Sequence, residues 1–249
     1  MQDYLEFQKG TIPLIISVPH GGILECENIP KRSHGILGID GKTVEIAKKL
    51  MRLIRANFRA QNLKSKFPSY VISKVRRSKI DLNRNEAEAF NPSSIIAREI
   101  YISYHNKLRE FVIDNLNFFS RSLLIDIHGF EKEKRPPGFR DVDIILGTNN
   151  LESLFSKPTL RKDLGNNIRG KIIQKFIDLE IPIAPGHPKR KEYVLTGGYI
   201  TKKYGASQIH NSQALQMEFS DRIRIKDHKL RELVLNALAN ILVKNLLEI

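Results

Sequence analysis

The chain has 249 residues, of which 41% are hydrophobic and 27% are charged. It is therefore long enough for one large α/β domain with a real apolar core. No apolar run approaches the roughly 18–20 residues that a membrane span needs, and residues 1–6 lack the basic and apolar regions of a signal peptide. The single cysteine, Cys26, cannot form an intrachain disulfide. We expect one cytoplasmic domain spanning residues 1–249.

The formal net charge is +14 and the pI is about 9.8. Such a balance suits a nucleic acid or an anionic substrate as the partner. However, Lys and Arg are spread along the whole chain, and they cluster only at 189–191 and, more loosely, at 74–79. Neither an aromatic–glycine RNA-binding motif nor a helix-turn-helix is visible. A basic nucleic-acid-binding protein is therefore the alternative hypothesis, and it predicts a coherent basic face.

The first half of the chain alternates short apolar runs with amphipathic stretches. Residues 14–18 predict a buried strand closed by Pro19. Apolar residues then recur at helical spacing from Val44 to Ile54, with Asp40 placed as the N-cap. Residues 70–73 predict a second strand, and residues 95–118 predict one long amphipathic helix or two.

The second half continues the alternation. Residues 123–127 form the clearest buried strand, and 142–146 predict another. Residues 166–179 and 230–247 have helical patterns. In the stretch 215–219, apolar and polar side chains alternate, which predicts a half-buried strand with Glu218 on its polar face.

Strands that alternate with helices indicate an α/β fold with a mostly parallel sheet covered on both faces. In open sheets of this kind, ligands bind outside the carboxyl ends of the strands. His20 and His128 each stand one or two residues past such an end. We therefore expect the sheet to bring the two histidines to the same edge.

The two strand-end histidines suit a zinc site with three protein ligands and one open position. Asp126 precedes His128 by two residues and shares its face of the strand, so its carboxylate can fix the tautomer of a ligating imidazole. Either histidine, taken singly, also fits a hydrogen-bonded loop residue. The third ligand stays open between Asp40 and Glu25, because Asp40 also fits an N-cap.

Two arginines are candidates for binding an anion. Arg84, assisted by Asn83, can bind a substrate carboxylate through two parallel hydrogen bonds. A structural pair with Asp81 is the alternative for Arg84. Arg140 precedes the strand at 142–146 and can polarise a carbonyl or bind an anion.

Three further residues have a chemical and a structural interpretation. Glu218 is a candidate general base, and its alternative is a surface salt bridge with Arg222. His105 shares a helical face with apolar residues, so a buried core histidine is the default for it. Cys26 could be a nucleophile, but no oriented partner for it can be named.

Four stretches occur in this order: 17–22 (Ser-Val-Pro-His-Gly-Gly), 78–84 (Ser-Lys-Ile-Asp-Leu-Asn-Arg), 125–130 (Ile-Asp-Ile-His-Gly-Phe) and 215–219 (Leu-Gln-Met-Glu-Phe). From about residue 12 to 225 the chain resembles the N-formylglutamate amidohydrolase family. The resemblance implies a mixed, mostly parallel sheet flanked by helices, like that of zinc carboxypeptidases. It also implies one Zn²⁺ and hydrolysis of an amide beside a carboxylate in a small-molecule substrate.

The resemblance also assigns roles to the candidate residues. It implies three zinc ligands, which are His20, Asp40 and His128. It implies that Arg84, with Asn83, binds the substrate carboxylate. It also implies His105 as a further substrate contact and Glu218 as the acid/base. Arg140 would help to hold the oxyanion. Carboxypeptidase-like enzymes carry an acid three residues after the first histidine, where this chain has Ile23, so Glu25 stays open as the third ligand. A member that kept the fold without catalysis is a further alternative.

Overall fold

The computed structural model describes residues 3–135, 141–159 and 163–248. Within these ranges the strands form a single seven-stranded sheet in the order β1-β3-β2-β4-β7-β5-β6. The strands are β1 (Leu5–Gln8), β2 (Leu14–Val18), β3 (Ser69–Ser73), β4 (Ser122–Phe130), β5 (Ile144–Gly147), β6 (Ile183–Ala184) and β7 (Ser212–Ser220). The helices are α1 (Thr43–Ala60), α2 (Glu86–Ala89), α3 (Ile95–Phe119), α4 (Ile168–Asp178), α5 (Tyr199–Tyr204) and α6 (His228–Leu247).

The sheet is mixed and mostly parallel. Strand β2 pairs in parallel with β3 and β4, β4 with β7, and β5 with β6. The antiparallel pairs are β1 with β3 and β5 with β7. The predicted α/β class and the mixed sheet are therefore confirmed.

Helices cover both faces of the sheet because the central strands are apolar on both sides. In β2, Leu14, Ile16 and Val18 pack into the core shared with α1, α4 and α6. Ile15 points the other way and packs into the core shared with α3 and α5. None of the described helices has the length and apolar content needed to cross a membrane.

Several predicted elements are confirmed with shifted ends. The stretch at 95–118 is one helix, α3, which begins after Ser94, whose side chain accepts a hydrogen bond from the amide of Ala97. The strand predicted at 142–146 is β5, and the helix at 166–179 is α4. The elements β1, β6, α2 and α5 were not predicted, because each has six residues or fewer and shows too little periodicity to be recognised.

Three local predictions were wrong. The N-cap of α1 is Lys42, in a left-handed conformation, and not Asp40, whose side chain turns towards His128. Strand β7 is buried on both faces, so Glu218 is 9% exposed and faces a cavity. His128 lies within β4 and not past its end, because β4 keeps pairing with β7 as far as Phe130.

Candidate metal centre

Three side chains from separate segments bring their donor atoms together at the carboxyl edge of the sheet. Nδ1 of His20 and Nδ1 of His128 lie 3.2 Å apart. Oδ2 of Asp40 lies 3.2 Å from Nδ1 of His128 and 3.5 Å from Nδ1 of His20. A tetrahedral metal with bonds of about 2.0 Å holds its ligand atoms ~3.3 Å from one another. The three separations therefore fit one metal ion.

The outer nitrogens of both imidazoles bond to buried carboxylates. Nε2 of His20 lies 2.6 Å from Oδ1 of Asp81, and Nε2 of His128 lies 2.8 Å from Oδ2 of Asp126. A carboxylate oxygen only accepts, so each Nε2 carries the hydrogen and each Nδ1 of the neutral ring has its lone pair towards the centre. Two lone pairs and a carboxylate oxygen facing one another repel unless a cation lies between them. The donor set therefore fits a metal such as Zn²⁺.

The electrostatic field at this centre favours positive charge. Burial disfavours the charged form of His128, but the carboxylates of Asp126 and Asp40 outweigh burial and raise the pKa of this imidazole well above its usual value. Asp40 shows the complementary effect, since hydrogen bonds from His128 and His20 overcome burial and lower the pKa of its carboxyl. A bound metal would supply the charge that this field attracts.

Backbone contacts place Asp40 beside the histidines. The amide of Asp40 donates to the carbonyl of His20 at 2.9 Å, and the amide of Gly129 donates to Oδ2 of Asp40 at 3.2 Å. Gly21 allows this loop to close on α1, because a Cβ there would overlap Thr43. The other candidate ligand, Glu25, has a half-exposed side chain that pairs with Arg76 at 3.2 Å. The structure therefore brings Asp40 to the histidines and leaves Glu25 outside.

Glu218 lies on β7 directly opposite His128 in the parallel pair with β4. Its Oε1 accepts a hydrogen bond of 2.9 Å from Nε2 of Gln216. Burial raises the pKa of the Glu218 carboxyl, and the neighbouring imidazole of His128 only partly offsets this. The alternative salt bridge with Arg222 is absent, since Arg222 pairs with Asp143 and Asp227.

A cavity of about 710 Å³ opens beside these residues. Arg84 lines it with a side chain that is 48% exposed and whose Nε lies 3.9 Å from Oδ2 of Asp81. Asn83 also lines it, and its Oδ1 accepts a hydrogen bond from the amide of Ile200 at 2.8 Å. The NH₂ end of Asn83 then lies against the ring of His128, 3.2 Å from Nε2. Both predicted residues therefore border the cavity.

Sequence reasoning missed the role of Arg77, which it placed only in a loose basic cluster. Its Nε donates to Oδ2 of Asp81 at 3.1 Å, and its NH1 lies 3.6 Å from Oδ1 of Asp40. Arg77 lines the cavity, and its guanidinium lies beside the candidate ligand Asp40. The only sequence signal was its spacing of four residues from Asp81.

Arg224 lines the same cavity but is engaged by the fold. Its guanidinium donates to the carbonyl oxygens of Phe219 and Phe130, each at 2.9 Å, and to that of Gly41. It packs on Gly129, where a Cβ would overlap the guanidinium. Arg224 therefore ties the ends of β4 and β7 to the loop that carries Asp40. Further basic side chains at the cavity are Lys134, Arg135 and Lys202.

His105 does not line the cavity. Its ring packs among Tyr101, Tyr199 and Tyr204, and its Nδ1 lies 3.1 Å from Oη of Tyr204. Burial, together with the nearby charge of Lys203, lowers the pKa of His105 to about 3. Tyr199, which packs edge-on against the ring of His105, does line the cavity, and the substrate contact of His105 stays a prediction. Arg140 lies outside the described residues, and its role stays a prediction.

No family model and no curated protein matches this sequence. Solved structures do match it. N-formylglutamate amidohydrolase from Ralstonia eutropha JMP134 aligns with a TM-score of 0.64 and 12% identity over 98% of both chains. The gene product Atu2144 from Agrobacterium tumefaciens aligns with a TM-score of 0.57 and 14% identity over 98% of this chain and 94% of that one. At these identities the chain shares their fold, and the predicted structural resemblance is confirmed at that level.

Proposed function

We propose that this protein is a zinc-dependent hydrolase that cleaves an amide bond in a small carboxylate-bearing substrate of the N-acyl amino acid type. The convergence of His20, Asp40 and His128 beside the buried carboxyl of Glu218 carries this proposal. The basic cavity next to them supports a substrate with negative charge. The name of the Ralstonia protein with the same fold points to the same reaction class.

His20, Asp40 and His128 would hold the metal, with Asp81 and Asp126 orienting the two imidazoles. When bound, Zn²⁺ supplies Lewis-acid polarisation of a carbonyl and acidifies water. The protein contributes a pre-formed donor set, because the carboxylates fix both ring tautomers before any ligand arrives.

Glu218 is the residue that we assign to proton transfer. Its carboxyl is buried and burial raises its pKa, so it can take a proton from the attacking water and return it to the leaving amine. Its register opposite His128 keeps it at the metal side of the cavity. The hydrogen bond from Gln216 occupies Oε1, which leaves Oε2 for proton transfer.

Arg84 and Asn83 are assigned to the substrate carboxylate. Among the described residues, Arg84 forms one distant ion pair, to Asp81, so its guanidinium retains donors for a ligand. Arg77 is compensated by Asp81 and Asp40, and it offers a cationic donor beside the position where a carbonyl oxygen gains charge during attack. The clamp would thus orient the substrate so that its scissile amide faces Glu218.

The proposal is tested on protein purified without chelator. We expect about one zinc per chain and hydrolysis of N-acyl amino acids, with hydrolysis lost on chelation and restored by Zn²⁺. Analogues whose carboxylate is capped as a neutral amide should react far more slowly. Protein that contains no transition metal and takes up none would contradict the metal assignment. Equal rates for acidic and capped substrates would contradict the substrate class.

A further inference from the structure

Gln216 bridges the cavity wall and the carboxylate of Glu218. Its Oε1 accepts a hydrogen bond of 2.6 Å from the amide of Gly198, and its Nε2 donates to Oε1 of Glu218 at 2.9 Å. Gln216 and Glu218 lie two residues apart on β7 and share one face, and both line the cavity. The side chain of Gln216 is 3% exposed. Both ends of a buried amide are therefore committed to partners at the site.

The two contacts fix the direction of the amide. A backbone N–H can only donate, so the end of Gln216 that meets Gly198 must be the oxygen. The other end must then be the NH₂ group, which can only donate, and it points at Glu218. This arrangement prevents the amide from flipping and directs a donor at one chosen oxygen of the carboxylate.

Glycines allow the segment 197–198, which forms one wall of the cavity, to come close enough to β7 for the hydrogen bond between Gly198 and Gln216. Gly147 on β5 pairs directly with Gln216, and a Cβ there would overlap the backbone of Gly197. Gly197 has a φ of 103°, which favours glycine, and a Cβ on Gly198 would overlap the side chain of Asn83. The segment from Gly197 to Gly198 can thus approach β7 closely, and its N–H reaches Gln216.

We propose that Gln216 is a positioning residue, which holds the Glu218 carboxylate in the rotamer that presents Oε2 to the substrate. This role rests on the proposed function of Glu218. Without the donor, the carboxylate can rotate within the cavity, and the substrate would meet it in several orientations. A misplacement of about 1 Å in a reacting group can cost about 10²-fold in rate.

Two variants separate this role from a purely structural one. Gln216→Met keeps the side-chain length and removes both hydrogen bonds. Gln216→Glu keeps an oxygen for the N–H of Gly198 but loses the NH₂ donor towards Glu218. For both we expect kcat to fall about 10–100-fold with KM within about threefold and with zinc content unchanged. In crystal structures of both variants, Glu218 should leave its wild-type rotamer, while in Gln216→Glu the wall at Gly198 stays in place.

Gln213→Met is the matched control, because Gln213 lies on the same strand and its Nε2 donates to the carbonyl of Leu154, away from the cavity. It should keep wild-type kcat, KM and the rotamer of Glu218. Variants of Gln216 in which Glu218 keeps its rotamer, or which keep wild-type kcat, overturn the positioning role. If the wild-type protein hydrolyses no amide, the proposed function fails, and the crystal structures alone decide whether Gln216 orients Glu218.

Discussion

Oδ1 of Asp81 accepts a hydrogen bond of 2.6 Å from Nε2 of His20, while its Oδ2 accepts one of 3.1 Å from Nε of Arg77. Arg32 and Arg84 lie within 3.6 and 3.9 Å of the same Oδ2. Burial opposes ionisation of this carboxyl, but the hydrogen bond from His20 and the charges of Arg77 and Arg32 outweigh it and lower the pKa of Asp81. The buried carboxylate of Asp81 thus orients the candidate metal ligand His20 and also pairs with the arginines on one side of the cavity.

Replacing Asp81 should therefore lower both metal affinity and stability, whereas replacing Asp126 should lower mainly metal affinity. Asp81 orients the imidazole of His20, and Asp126 orients that of His128. Loss of either carboxylate should therefore lower metal affinity roughly 10–100-fold. Asp81→Asn also removes the carboxylate that the buried Arg32 and the partly buried Arg77 share, at a cost of about 3–5 kcal/mol of stability. Zinc competition with a chelating dye measures the first effect, and urea unfolding in excess chelator measures the second. Equal stability of Asp81→Asn and Asp126→Asn would contradict the bridging role.

Removing a metal ligand should remove the stabilisation by zinc. Free Zn²⁺ at about 100 times its Kd stabilises a folded protein by about 2.7 kcal/mol, because the unfolded chain lacks the site. We expect this gain, measured as a rise in Tm, in the wild type and not in His20→Ala or His128→Ala. His210→Ala is the control, since His210 is exposed. A zinc-dependent Tm in the ligand variants equal to that of the wild type would exclude this site.

Glu218→Gln should abolish proton transfer while it preserves shape. General acid–base assistance is worth about 10²–10⁴-fold, so kcat should fall by that factor while zinc content and substrate Kd stay unchanged. Glu88→Gln, at the exposed rim of the same cavity, should keep its activity. A Glu218→Gln enzyme with more than about a tenth of wild-type kcat would remove this residue from the mechanism.

Arg84→Ala should weaken the use of carboxylate-bearing substrates. A hydrogen bond to a charged group contributes about 1.5–3 kcal/mol, so kcat/KM should fall roughly 10–150-fold for acidic substrates. Capped neutral analogues should be much less affected, and zinc content should not change. The control is Arg98→Ala, because Arg98 is an exposed residue of α3 that pairs with Glu86. An unchanged preference for acidic over neutral substrates would rule out Arg84 as the clamp.

His105 should make the protein less stable in acid. Burial and the charge of Lys203 lower its folded pKa to about 3, whereas the imidazole of the unfolded chain titrates near 6.5. Between these values only the unfolded chain binds the proton, so the stability is present above pH 6.5 and is lost as the pH falls towards 3. The loss between pH 8 and pH 5 is about 2 kcal/mol.

The measurement for His105 is the difference in unfolding free energy between the wild type and His105→Gln at the two pH values. The variant lacks the titrating group, so its stability should fall less between pH 8 and pH 5. His210→Gln, which replaces an exposed histidine, should follow the wild type. Parallel pH curves for the wild type and His105→Gln would show that the folded protein takes up the proton at His105 as readily as the unfolded chain does.

Much of the fold was predictable because it depends on short-range periodicity. The apolar runs of β2 and β4 and the helical spacing in α1, α3 and α6 are visible without tertiary information. Period-two alternation also placed Asp126 on the same face as His128, and the structure shows these side chains bonded. By contrast, the alternation in β7 left open whether Glu218 faces a cavity or the solvent, since a polar residue that lines a cavity and one at the surface give the same pattern.

The sequence by itself determined which side chains stand at or near the carboxyl ends of strands, and therefore the pair His20 and His128. Only the tertiary structure decided that Asp40, and not Glu25, joins them and that Asp81 orients His20. The physical reason is that periodicity sets the side of an element on which a residue lies, whereas loops meet according to the order of the strands. Because β3 lies beside β2, the loop carrying Asp81 reaches a histidine 61 positions earlier in the chain.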